Sequence, residues 1–144
     1  MLRIVIDTNI WIRILLRGEV TLPILTEWQA KRFQLITSQA LLDEYDSIWQ
    51  RPRLRSRIDR AQAEHLRRQM RTRGKVVELK TIPPRCRDPK DHPVLATAID
   101  GQANAIVTGD DDLRADDELR KAMTSYGVAL WGVNAFLDAL LTNP

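Results

Sequence analysis

The chain has 144 residues, of which 44% are hydrophobic and 28% charged, with a formal net charge of +3. That length supports one domain with a real core and is short for two, and the composition excludes disordered and fibrous classes. No apolar run approaches the roughly 20 residues a membrane span requires, and Met1-Leu2-Arg3 leads into an apolar strand rather than a secretion signal, so one cytoplasmic domain, 1–144, is expected. The lone cysteine, Cys86, excludes an internal disulfide and a cysteine zinc site, and it reads as a small semi-buried loop residue.

Ile4-Val5-Ile6-Asp7-Thr8-Asn9 opens the ordered pattern. A β-branched run of this kind reads as a buried strand of a parallel sheet, and its abrupt end in a carboxylate, a hydroxyl and an amide sets Asp7 at the carboxyl edge, where α/β sheets bind ligands. Ile10–Leu16 reads as a helix stopped by Gly18, and Leu22–Ala30 as a second, with Pro23 tolerated in its first turn. Phe33–Thr37 reads as a second strand, and Ser38 caps a helix over Gln39–Trp49. In that helix Leu41, Leu42, Tyr45, Ile48 and Trp49 form one stripe; Glu44 and Asp46 lie equally close to its two edges, and periodicity does not choose between them.

Pro52 should break that helix and open a basic arm. Between Arg51 and Lys75, ten Lys/Arg meet only Asp59 and Glu64, so the remainder of the chain is net negative. Such an asymmetry suits a polyanionic partner, with a solvated arginine face as the alternative. A helix is expected over Arg60–Arg73, then an exposed strand over Lys75–Lys80 and a proline-marked loop through Asp88-Pro89. Asp91 falls at or just before the first turn of a helix faced by Val94, Leu95, Ala98 and Ile99, where an Asp is commonly a cap. Ala105–Asp110 then repeats the opening pattern of an apolar strand ending in a hydroxyl and a carboxylate, with Asp111 and Asp112 behind it. A helix over Leu119–Tyr126, a strand at Val128–Leu130 and a helix over Val133–Leu141 finish the chain. Five strands alternating with helices imply a parallel sheet covered on both faces.

If the two acid-ended strands are adjacent, Asp7 and Asp110 share a crevice. Carboxylates crowded without cations raise each other's pKa, and the usual relief is a hard divalent ion; all-oxygen ligation suits Mg2+ or Mn2+. Such an ion activates water and offsets charge on a phosphodiester.

Asp7-Thr8-Asn9 after the first strand, Ser38 followed by Glu44, Asp91-x-x-Val94-Leu95-Ala96-x-Ala98, and Val107-Thr108-Gly109-Asp110-x-Asp112-Leu113 together resemble the PIN-domain nucleases. The likeness is closest to the PIN-type toxins of bacterial toxin–antitoxin pairs, the VapC-like group, and includes Arg51-Pro52-Arg53-Leu54 and the lead-in Cys86-Arg87-Asp88-Pro89. It implies a three-layer α/β/α fold with a five-stranded parallel sheet in order 3-2-1-4-5, and an Mg2+- or Mn2+-dependent endoribonuclease held silent by a cognate antitoxin. It also implies a homodimer, for which Trp11 and Trp28 are either interface or core. Carried over by position, Asp7, Glu44, Asp91 and Asp110 are the metal-holding acids, with Asp112 auxiliary. The resemblance thus selects Glu44 over Asp46 and makes Asp91 a ligand rather than a cap.

Around these acids, Thr8 and Thr108 would hold a carboxylate or water, with ordinary turn and capping residues as the alternative, and Asn9 would orient Asp7 or cap the first helix. The arm, through Arg51, Arg53, Arg55 and Arg57, would contact phosphates of single-stranded or loop RNA. His92 stands where close relatives often carry a second acid, which would weaken metal binding or favour Mn2+. Two other readings compete: a degenerate PIN module that binds RNA or protein without cutting, and a haloacid-dehalogenase-type phosphatase. The latter usually needs a second Asp two residues after the first, where this chain has Asn9.

Overall fold

The computed structural model describes residues 1–86 and 88–142; Arg87 of the lead-in lies outside them. In chain order the described residues form β1 (Arg3–Ile6), α1 (Thr8–Leu15), α2 (Leu22–Gln29), β2 (Gln34–Ser38), α3 (Gln39–Trp49), α4 (Pro52–Arg55), α5 (Arg60–Arg73) and β3 (Lys75–Val77). They continue with a 3-10 turn (Pro89–Asp91), α6 (His92–Asp100), β4 (Ala105–Val107), α7 (Asp111–Ala115), α8 (Asp117–Thr124), β5 (Ala129–Trp131) and α9 (Val133–Thr142). None of these helices is long and apolar enough to cross a membrane.

The strands make one sheet in the order β3-β2-β1-β4-β5, parallel throughout, as expected. β1 lies in the middle, with Ile4 facing Leu35 on one side and Ala105 on the other. Its alternation splits the core in two. Ile4 and Ile6 pack with Ile10, Leu42, Tyr45, Leu66 and Phe136 on one face, while Val5 packs with Ile36, Leu95, Ile106 and Met123 on the other. Burial on both faces is why β1 reads as an unbroken apolar run. From β1 the chain builds outward to β2 and β3, then returns to the opposite side for β4 and β5, so the C-terminal ends of β1 and β4 flank the point where a crevice opens. The Asp7 N–H donates to the Val107 carbonyl at 2.9 Å and ties these two ends together.

Local chemistry accounts for most boundaries. The Ser38 hydroxyl accepts from the Leu41 N–H, and the Asp59 carboxylate accepts from the Gln62 N–H, so α3 and α5 begin at capped ends. Several expectations need correction. α4 and α7 are absent from the sequence reading; Pro52 ends α3 but sits in the first turn of α4, where a missing N–H costs nothing. β3 stops at Val77 and β4 at Val107, shorter than expected. Trp11 and Trp28 are 3% and 2% exposed and meet edge to face, with ring centroids 5.4 Å apart, so they are core and not an available interface.

Candidate active site

Four segments bring acids to the carboxyl edge of the sheet. Asp7 is the residue between β1 and α1, and Glu44 lies one turn into α3. Asp91 ends the 3-10 turn before α6, and Asp110 precedes α7. Asp7 is buried, while Glu44, Asp91 and Asp110 are half-buried.

A short hydrogen-bonded path joins two of them. The Asp110 N–H donates to the Thr108 hydroxyl oxygen at 3.0 Å, and that hydroxyl donates to Asp7 Oδ2 at 2.8 Å. The incoming N–H leaves the Thr108 proton aimed at Asp7. Thr8, the first residue of α1, donates its hydroxyl to Glu44 Oε2 at 3.2 Å. Both threonines therefore donate to a carboxylate. The Asp110 carboxylate itself accepts from the N–H groups of Asp112 and Leu113 at 2.9 and 3.3 Å and caps α7. Asn9 is exposed on α1, and among the described contacts its side chain neither bonds Asp7 nor caps the helix.

The acids act on one another. Burial pushes the Asp7 carboxyl above its ordinary range and Asp110 adds to the rise, against the Thr108 hydrogen bond and the N–H groups of Thr8 and Asn9. Burial and then Asp7 raise Glu44, while the Thr8 hydrogen bond, Arg51 and Lys90 lower it. Asp91 is shifted furthest, to about 6, by burial and by Asp7, Asp110, Asp88 and Glu44 in turn. Its side chain caps no helix, which removes the commonplace explanation for an Asp at that position.

The Glu44–Asp46 ambiguity resolves through tertiary packing. Asp46 points the other way and pairs with Arg67 of α5 at 2.9 Å, accepting from the Trp49 indole N–H at 3.3 Å as well. Asp112 is exposed on α7 and lines a cleft of 280 Å³ with Asp88, Asp91, Asp110, Leu113 and Asp116. Asp88 and Asp116 were not singled out from the sequence. Both are caps, of the 3-10 turn and of α8, and their helix-start positions were the available signal. Lys90 was missed for lack of any pattern around it. Arg51, Arg53, Arg55 and Arg57 are all exposed, and Arg51 is close enough to Glu44 to lower its pKa. Cys86 is half-buried in the loop, its thiol 3.1 Å from the Asp88 carbonyl.

The donor set tests directly whether a metal fits. Among the described residues no three His, Cys, Asp or Glu side chains are drawn closely enough to form a ready cage for one ion. The chemistry nonetheless matches a hard cation: all donors are carboxylate oxygens, and neighbouring carboxylates add to burial in raising Asp7, Glu44 and Asp91. A divalent ion bound among them would relieve that repulsion.

A family model described as PIN domain matches residues 3–112, about three quarters of the chain. The matched stretch runs from β1 into α7 and contains Asp7, Glu44, Asp91, Asp110 and Asp112. Among curated proteins, none matches the chain. With the sheet order and the family match in agreement, the chain belongs to the PIN-domain family, whose members are usually nucleases that use divalent metal ions.

Proposed function

We propose that this chain is a single-domain, Mg2+- or Mn2+-dependent endoribonuclease of the VapC-like group, the toxin of a toxin–antitoxin pair. Asp7, Glu44, Asp91 and Asp110 hold the metal and Asp112 assists. The observation that carries the reading is the convergence of acids from four segments: burial, with the charges of Asp7, Asp110, Asp88 and Glu44 added to it, raises Asp91 to about 6. An ordinary turn or cap has no use for that arrangement. The toxin role, the antitoxin partner and a homodimer are supported by the motif resemblance, and a cytoplasmic site of action follows from them.

A divalent ion bound here supplies Lewis-acid charge for activating water and for offsetting negative charge on the phosphate. The chain does the rest. Thr108 and Thr8 fix the carboxylates of Asp7 and Glu44, so the acids meet the ion without first giving up rotational freedom. Arg51 stands beside Glu44 and draws an RNA phosphate toward the acids, and Arg53, Arg55 and Arg57 extend that contact along the strand.

The test is cleavage of a labelled single-stranded RNA with Mg2+, with Mn2+ and with EDTA, by the wild type and Asp7→Asn. Cleavage with either ion, abolished by EDTA and reduced at least a hundredfold in Asp7→Asn, is expected, because the lost carboxylate contributes both charge and a ligand. Full activity in Asp7→Asn contradicts the mechanism. The non-cleaving module is a second reading, favoured by His92 in place of an acid and by the absence of a ready cage among the described residues. Mn2+ titration calorimetry separates the two, since that module gives no heat.

A further inference from the structure

Helix α1 buries six of its eight residues, Thr8, Ile10, Trp11, Ile12, Ile14 and Leu15, and exposes Asn9 and Arg13. Four residues apart, these two share one face, a polar stripe that starts beside Asp7. The Arg13 guanidinium lies across Gly109, the residue between Thr108, which holds Asp7, and Asp110. A Cβ built on Gly109 would sit 3.0 Å from Arg13 Cζ and 3.2 Å from Nη2, and closer still to Nη1. Gly109 is thus the floor on which this cation lies, and a Cβ there would meet the end of the Arg13 side chain and push it aside.

The next loop of the sheet repeats the packing with a different outcome. Arg114 lies over Gly132 in the same way, but its guanidinium is paired with Asp111. Among the described residues no carboxylate pairs with Arg13, although acids crowd the crevice beside it. A planar fork of donors that lies against Gly109, one residue from Asp110, with no carboxylate partner among the described residues, is matched to a phosphate.

Building on the proposed nuclease function, we propose that Arg13 is a substrate-binding residue that grips a backbone phosphate of the RNA strand at the β4 rim of the crevice. Arg51 stands beside Glu44 and Arg13 lies against Gly109, next in sequence to Asp110, so the two cations hold the strand over the acids. Arg13 lies outside the basic arm and far from it in sequence, so its contact adds to that of the arm.

The test combines Mn2+-dependent cleavage of a single-stranded RNA with anisotropy binding at several salt concentrations. It uses the wild type, Arg13→Ala, Arg13→Lys, Gly109→Ala and the double variant Arg13→Ala/Gly109→Ala, each checked for a folded thermal transition. Arg13→Ala should raise KM about tenfold with kcat within about twofold, and lower the slope of log K against log salt by about 1. Arg13→Lys should keep the slope and recover part of the affinity, having the charge without the fork. Gly109→Ala should displace the guanidinium and copy the KM defect, and the double variant should be no worse than Arg13→Ala alone. An unchanged KM and salt slope in Arg13→Ala, or a Gly109→Ala defect equally large in the Arg13→Ala background, overturns the proposal. Failure of the wild type to cleave would instead sink the nuclease reading. The salt slope of binding still decides on Arg13 in that case.

Discussion

Asp91 shows how a single side chain can carry information that its local sequence hides. In front of a helix it looks like a cap, yet it makes no capping bond, and folding raises its pKa from 3.8 to about 6. The sign follows by linkage. The folded state favours the protonated form, so this group's contribution is present below pH 3.8 and is lost as the pH rises through about 6. Asp91→Asn should therefore raise the melting temperature of the metal-free protein at pH 7.5, with the gain vanishing below pH 4, while abolishing RNA cleavage. A thermal melt series across that range, paired with the cleavage assay, checks both halves; a variant that melts lower than wild type at pH 7.5 contradicts the electrostatic account. Thr108 behaves oppositely, because its hydroxyl relieves a buried carboxylate rather than burdening it. Thr108→Val should cost about 1–3 kcal/mol by leaving Asp7 a hydrogen bond short, and about ten- to a hundredfold in metal affinity or activity. Urea unfolding and Mn2+ titration measure the two effects. Asp7 and Asp110 were legible as acid-ended strands because a run of β-branched residues stopping at a carboxylate is a local pattern. Glu44 was not separable from Asp46 by the same means, since what distinguishes them is α5: Arg67 takes Asp46 and leaves Glu44 to meet Thr8.

Helix α3 carries Glu44 and the 3-10 turn leading into α6 carries Asp91, and a buried hydrogen bond couples the two helices. The hydroxyls of Ser38 and Thr97 lie 2.8 Å apart, Ser38 also capping α3 and Thr97 donating to the Pro93 carbonyl. Ser38→Ala removes the cap and the link together. It should destabilise the fold by about 1–2 kcal/mol, and weaken Mn2+ binding although Ser38 is no ligand; a variant with wild-type Mn2+ affinity shows that the link does not position the acids. In the basic arm, Arg51→Ala should reduce RNA binding and lower the salt slope by about 1, with anisotropy as the readout. Element boundaries were readable where a chemical signal marked them. α3 and α5 run as expected because Ser38 and Asp59 cap their starts and Gly74 closes α5. α4 and α7, with four and five residues, are too short to show a helical period, and Pro52 reads equally as a breaker or a first-turn residue.

At the scale of the whole molecule, the order β3-β2-β1-β4-β5 puts β1 and β4 side by side. Chain sections separated by about a hundred residues thereby share one crevice, with Thr108 reaching Asp7 across that interval. Parallel pairing and coverage on both faces could be argued from the alternation of elements. The strand order could not, because it depends on crossovers that leave no local trace and came from the resemblance alone. Burial of Trp11 and Trp28 was equally hidden, since an aromatic on an early helix fits a core or an interface until α2 is folded against α1.

Metal held by acids from four separate segments is the central claim, and anomalous scattering from a crystal soaked in Mn2+ tests it most directly. The prediction is an anomalous peak between Asp7, Glu44, Asp91 and Asp110, with carboxylate oxygens at coordination distance and Thr108 still bonded to Asp7. Carboxylates that remain apart around an empty crevice at saturating Mn2+ would contradict it.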